Sequence, residues 1–227
     1  EATMIHAYEN YRPEKVLIIH RDDRNEEEIT KHVKKWNQAE SKINLSISSF
    51  SSDFNISEND IKDYLDPVTT NVIYVPSLDE VFISSVMREL NKIKKDYNII
   101  LYGMPGWESQ PNIRFDYMDE LNTYMTNNYF ENSSNLSYQL FVDSYKFKYK
   151  SVPSNFAFKG YDITKVFGEL LFNNGKQFLS AVQNEKIIGL SSDFHFKKRF
   201  DGDNIELIEN KAVHVLHLED YELIKSN

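Results

Sequence analysis

The chain has 227 residues, 41% hydrophobic and 27% charged, which suits one large domain or two small lobes with a buried core and excludes wholesale disorder. Its formal net charge of −9 repels nucleic-acid phosphates, and the short basic stretches 31–35 and 197–199 read as solvated faces, so no nucleic-acid partner is expected. Cysteine is absent, which removes disulfides, thiolate metal sites and cysteine nucleophiles, and no apolar run is long enough to span a bilayer.

In chain order, residues 1–11 place Met4, Ile5, Ala7 and Tyr8 at helical spacing. Residues 16–20 form an apolar run too compact for a helix, which predicts a buried strand. Residues 26–36 carry Ile29, Val33 and Trp36 on one face and charge elsewhere, an amphipathic helix. Residues 43–47 alternate like a strand. Ser57 reads as the N-cap of a short helix bearing Ile61, Tyr64 and Leu65, which Pro67 helps to stop. The unit then repeats: a strand at 71–75, a helix at 78–93 with Val81, Phe82, Ser85, Val86 and Leu90 inward, and a strand at 98–102. Repeated βα units predict neighbouring parallel strands covered by helices on both faces. Ligands of such sheets sit beyond the carboxyl ends of the strands, here at loops 20–24, 76–79 and 103–109.

The second half changes character. A strand is expected within 122–130, a polar break at 132–135, and helices at 136–149, 156–172 and 175–182, the first two rich in Tyr and Phe. From Ile187 the period becomes two. Residues 193–200 and 212–218 alternate, and Asp201-Gly202 is a turn signal, so the tail reads as antiparallel. The fold class expected is α/β: a doubly wound parallel sheet lobe with a helical and antiparallel C-terminal portion.

Catalytic chemistry finds little support. Asp22 and Asp23 follow a strand as the metal-binding carboxylates of a phosphorylated receiver domain do, but Val75 is followed by Pro76 and Ser77 where the acceptor aspartate belongs. Gly103 stands at the switch hydroxyl position, and Asp79 lies too far along to substitute. Ser77 lacks the flanking glycines of a hydrolase elbow and reads as the cap of the following helix. His6, His20, His32 and His195 are scattered, and His214 and His217 point to opposite faces of one strand. Asp119 and Glu120 are adjacent on a helix and diverge. No catalytic residue, metal or cofactor is therefore expected. Binding is better served. Trp107 lies beyond a strand end beside Tyr102 and Glu108, where an indole face suits a sugar or apolar group and the carboxylate an ammonium; Ser77 and Arg21 complete the candidate ligand-binding set.

Four segments carry a family resemblance. An opening helix leads into PEKVLIIH (13–20). DYNIILYGMPGWES (96–109) is similar to a strand and loop after a third βα unit. PSNFAFKGYDITKVFGELL (153–171) contains Tyr161, Asp162 and Ile163 near a helix start, and GLSSDFHFKKRFDGDN (189–204) joins a glycine-containing turn to a hairpin. This order resembles the type I periplasmic solute-binding proteins of ABC transporters, the leucine-binding group among them. The aromatic, asparagine-rich style resembles a related group found behind peptidoglycan-binding LysM repeats. The resemblance implies that residues 1–130 form an α/β domain like the family's second lobe, and that 131–227 form C-terminal helices and a hairpin belonging to a partial first lobe. It implies a non-catalytic module of the periplasm or cell envelope, binding a small-molecule solute or a cell-wall component. The alternative is a protein-interaction scaffold regulating cell-wall enzymes, with no small ligand. In the amino-acid binders a Tyr-Gly pair follows the first strand of that lobe; Arg21-Asp22-Asp23-Arg24 stands here, which speaks against classical amino-acid recognition. Tyr138, Phe141, Tyr145, Phe156, Phe158, Tyr161, Phe167 and Phe172 exceed what one stripe per helix needs, so a homodimer through the C-terminal helices is expected.

Overall fold

Residues 1–39, 45–182, 186–201 and 204–226 are described by a computed structural model. The chain divides into two units, Glu1–Asn127 with Val215–Asn227, and Asn128–His214.

In the first unit, apolar runs too short for helices become strands buried on both faces. These are β1 (Lys15–His20), β3 (Asn71–Tyr74) and β4 (Ile99–Gly103), flanked by β2 (Ser46–Ser51) and β5 (Thr123–Asn127). Their pairings β1–β2, β1–β3, β3–β4 and β4–β5 are all parallel, as the buried apolar runs predict. Late in the chain, β9 (His214–Glu219) and β10 (Glu222–Lys225) extend the sheet, which has seven strands in the order β10-β9-β5-β4-β3-β1-β2. Residues 215–227, expected with the second half, therefore belong to the first unit: their strands find backbone partners at the β5 edge. The expected strand at 43–47 is β2, shifted toward the C-terminus; Ile43 and Asn44 lie outside the described residues.

The helices are α1 (Ala2–Tyr11), α2 (Arg24–Ala39), α3 (Glu58–Lys62), α4 (Glu80–Ile93) and α5 (Phe115–Glu120). At the start of α3 the Asp60 carboxylate accepts from both the backbone N–H and the hydroxyl of Ser57. The α4 stripe buries Phe82, Ser85, Val86 and Leu90, but Val81 is 63% exposed rather than inward. The α4 cap is Asp79, whose Oδ1 accepts from the N–H groups of Val81 and Phe82; Ser77, expected in that role, lies two residues too early. Fully burying a side chain such as Ile18, Ile73 or Leu101 contributes about 1.5–3 kcal/mol.

The second unit has a different logic. Helices α6 (Leu136–Tyr149) and α7 (Asn155–Asn174) lead through a short 3₁₀ turn to α8 (Phe178–Ala181). A three-stranded antiparallel sheet follows, β6 (Lys186–Ile188), β7 (Asp193–Asp201) and β8 (Asn204–Asn210), in that order. The expected turn residue Gly202 lies outside the described residues. On α7 the buried residues Phe158, Asp162, Val166 and Leu170 recur every fourth position and form one stripe. Val166 and Leu170 pack with Val182, Phe194 and Phe196 as the core of this unit. The fully buried Asp162 accepts four hydrogen bonds, from the N–H groups of Leu190, Ser191 and Ser192 and from the Ser191 hydroxyl. A side chain at Gly189 would strike that carboxylate, 2.7 Å from Asp162 Cγ, which explains the glycine. Thus two segments singled out in the sequence, around Tyr161-Asp162 and Gly189-Leu190, are bonded to each other.

A ring cluster ties α1 and the C-terminal strands to the centre of the first unit. His6 Nδ1 lies 2.7 Å from the Tyr102 hydroxyl and Nε2 lies 2.8 Å from Ser226 Oγ, an arrangement that a neutral imidazole satisfies with one accepting and one donating nitrogen. Tyr11 donates to the Tyr124 hydroxyl, and His217 stacks on Tyr124 at 4.3 Å. Burial lowers the pKa of both histidines; Glu9 partly opposes this at His6, and Glu219 and Asp119 do so at His217. A base held neutral by the fold gains its proton more readily when unfolded. Stability is therefore fully present above the unfolded value of 6.5 and is lost as pH falls below it. Urea unfolding between about pH 7.5 and about pH 5.5 should show a falling midpoint, and His217→Phe, which keeps the stack, should flatten that fall. An unchanged slope in the variant would remove His217 from this account.

Candidate functional site

The sheet order places the chain's reversal of direction between β1 and β3, since it first adds β2 on one side and then returns to build β3 on the other. In doubly wound sheets a crevice opens at this point beyond the carboxyl ends of the strands. Here Arg21, next after β1, bridges the gap. Its Nη2 lies 2.8 Å from Glu26 Oε1, its backbone N–H donates to Glu26 Oε2, and its Nη1 lies 3.1 Å from Asp79 Oδ2 beyond β3. Glu26 is buried in the first turn of α2, and Asp79 is the cap of α4, so one guanidinium links two helix starts across the reversal. Burial alone would lower the Arg21 pKa, but the Glu26 hydrogen bond and the charges of Glu26, Asp79 and Asp23 raise it. Asp23 is itself committed, accepting from the N–H groups of Asn25 and Glu26.

The other expected binding residues fall into two groups. Trp107 and Ser77 come together, but as mutual support. Trp107 is 0% exposed, its indole N–H donates to the Ser77 carbonyl at 2.9 Å, and its ring lies against Gly103. A Cβ at Gly103 would stand 2.4 Å from Trp107 Cε3, so only glycine admits the ring. Gly106, with φ 95°, turns the chain into the 3₁₀ turn Trp107–Ser109 that aims the indole inward. Trp107 therefore has no face for a ligand to stack on, which corrects the expected role. Ser77 is likewise buried, its Oγ accepting from the Asp79 N–H, and Tyr102 is core beside His6. Glu108 and Arg21 remain half-buried. Asn127 donates to Glu108 Oε1, while Oε2 has no hydrogen-bond partner among the described residues.

The open space lies one strand away. A cleft of about 420 Å³ is lined by Arg21, Asp22 and Asp23 after β1 and by Ser51, Ser52, Asp53 and Phe54 at and after β2. Sequence reasoning watched the loop after β1 and missed the one after β2, although the polar run Ser48-Ser49-Phe50-Ser51-Ser52 already marks an edge strand feeding an exposed loop. Among the described residues no group of His, Asp and Glu has the arrangement of a metal site.

The chain has a type I periplasmic-binding-protein-like fold. No family model and no curated protein matches the sequence, and the assignment rests on solved structures. An ABC transporter substrate-binding protein from Desulfitobacterium hafniense, in complex with Leu, matches with a TM-score of 0.61 at 12% identity over 99% of this chain and 63% of that one. A putative branched-chain amino acid ABC transporter protein from Rhodospirillum rubrum matches with a TM-score of 0.60 at 14% identity, over 99% and 63%. Full-length LpoA from Haemophilus influenzae matches with a TM-score of 0.54 at 10% identity, over 99% of this chain and 38% of that one. The chain thus spans less than two thirds of the length of the solute-binding proteins it matches.

Removing the Arg21 side chain takes the guanidinium from the buried Glu26 carboxylate and leaves it the Arg21 backbone N–H, a loss of about 1–3 kcal/mol. Arg21→Ala should lower the urea midpoint accordingly, and the double variant with Glu26→Gln should recover part of it. Equal midpoints for wild type and Arg21→Ala would show that the bridge does not hold the two helix starts.

Proposed function

We propose that this chain is a non-catalytic binding module of the bacterial periplasm or cell envelope. It takes a small polar solute or cell-wall component at the carboxyl ends of β1 and β2, and its two units correspond to the second lobe and part of the first lobe of a type I binding protein. The cleft beside Ser51, Ser52, Asp53 and Phe54 carries this reading: its volume of about 420 Å³ is that of a small-ligand site, and it lies at the end of the sheet where such folds bind. Arg21 is neutralised by Glu26 and Asp79, so Asp22, Asp23 and Asp53 set the local sign. Carboxylates, hydroxyls and the half-exposed Phe54 ring favour a ligand with ammonium or hydroxyl donors on a compact apolar frame, as in an amino sugar. Arg21 and Glu108 lie at strand ends as polar anchors, and Ser77, Tyr102 and Trp107 serve from beneath by fixing the loops.

Native mass spectrometry of the purified chain and calorimetry with glucosamine test this. A saturable heat that falls about tenfold in affinity in Asp53→Ala or Phe54→Ala is the expected result, a difference of about 1.4 kcal/mol. Absence of any co-purified mass together with no heat from glucosamine would count against the reading.

One observation favours the second reading, an interaction scaffold. No residue of α6 is buried, and Phe156 and Phe172 of α7 are 85% and 91% exposed, with Leu136, Leu140 and Phe147 also in water. Each large apolar side chain left exposed forfeits about 1.5–3 kcal/mol of burial. Self-association through α6 and α7 would recover it. Sedimentation velocity should then show a dimer that Phe156→Ser with Phe172→Ser returns to monomer. A monodisperse wild-type monomer at high micromolar concentration would leave these helices without that role.

A further inference from the structure

At the opposite end of the first unit's sheet, among the amino ends of β1, β2 and β3, lies a cavity of about 340 Å³. Doubly wound sheets bind at their carboxyl ends, so this space is separate from the cleft described above. Its apolar surface comes from Leu17 and Val72, both nearly fully buried, with Leu65 and the Tyr64 ring. Tyr64 is held in place by stacking on Phe50 at 4.9 Å.

The segment 66–71 forms a fixed wall. The Asp66 N–H donates to Asn71 Oδ1, and Asn71 Nδ2 donates to the carbonyls of Asp66, Thr69 and Asn98. Asp66 Oδ1 accepts from the N–H groups of Val68 and Thr69, and Asn98 donates to Thr70 Oγ1. These bonds all run within the chain, so little ordering is left for binding to impose. They also keep Asp66 ionised beside Lys15: its carboxyl is held below the ordinary range, first by the two backbone bonds and further by the nearby charge of Lys15.

What is left over is one ammonium and a set of hydroxyls. The Lys15 ammonium pairs with no carboxylate among the described residues and stands 5.9 Å from the centre of the Tyr64 ring. The hydroxyls of Ser46, Tyr64 and Thr69 have no hydrogen-bond partner among the described residues, and Glu14 supplies an exposed carboxylate at the rim. The ammonium selects an acceptor, and three hydroxyls that can donate to the same group stand beside an aromatic and aliphatic surface, which suits a ligand with an anionic acceptor at one end and a flat apolar body at the other.

We propose that this cavity is a second binding site, for a small organic carboxylate whose charge pairs with Lys15 and whose apolar body packs on Tyr64, Leu17 and Val72. Glu14 and the ionised Asp66 both oppose that charge and set the affinity low. The site does not depend on the carboxyl-end cleft, and the two can be filled together.

Titration of the isotope-labelled full chain with phenylacetate, followed by amide NMR shifts, tests the proposal, with neutral phenylacetamide as the matched control. Phenylacetate should move the amides of Lys15, Tyr64 and Asn71 saturably, and phenylacetamide should bind at least about tenfold more weakly. Lys15→Met should abolish that preference without changing the thermal midpoint, Glu14→Gln should tighten phenylacetate by about threefold, and Asp53→Ala should change neither. Equal binding of acid and amide, a preference that survives Lys15→Met, or no saturable shift up to about 10 mM would each overturn it.

Discussion

The first unit depends on a parallel sheet that is dry on both faces. In β1, β3 and β4 successive residues are buried whichever way they point, so the backbone N–H and C=O groups have no water to turn to and must pair between strands. That requirement sets the neighbours β1, β3 and β4, calls for helices on both sides, and leaves polar chemistry only at the strand ends. It also explains why the edge strand β2 is rich in serine. With one side open, its hydroxyls reach solvent, and the loop that follows it borders the larger cleft.

Charge is used sparingly but at decisive places. Arg21 occupies the point where a doubly wound sheet reverses, and it binds the starts of α2 and α4 to each other through Glu26 and Asp79. An internal ion pair thereby fills part of the space that the fold offers to ligands, and the remaining opening moves toward β2. Asp162 does comparable work in the second unit. A buried carboxylate with four donors around it is strongly favoured over one left unpaired, so α7 and the turn at 190–192 form as one piece.

The two units differ in how they satisfy their apolar residues. The first encloses its own on both faces of the sheet, one face as a cluster running from Met4 on α1 to Tyr124 on β5 and the other around Leu17, Ile73, Phe82 and Leu101. The second encloses one stripe of α7 and leaves α6 lying on it through ring contacts, Tyr138 on Phe158 at 4.7 Å and Phe141 on Tyr161 at 4.8 Å. Such contacts hold two helices together yet cover only one side of each, and this is the physical basis for the second reading of what the chain does.

Periodicity in the sequence alone determined strands expected at 16–20, 71–75 and 98–102, each within a residue of the observed one, the helices between them, their parallel arrangement, and the change to a two-residue period after Ile187. These features are local: burial of a short apolar run or one helical stripe follows from residue order over a few positions. The destination of each polar or aromatic side chain at a strand end did not follow in this way. Trp107 beyond β4 has the same sequence appearance whether its indole faces solvent or the Ser77 carbonyl, and that partner is 30 residues away. Arg21 finds Asp79 across 58 residues, and Asp162 finds Ser191 across 29. Only the assembled sheet brings such groups within hydrogen-bond distance, so only the tertiary structure decided which site residues support the loops, which line open space, and that the last strands return to the β5 edge.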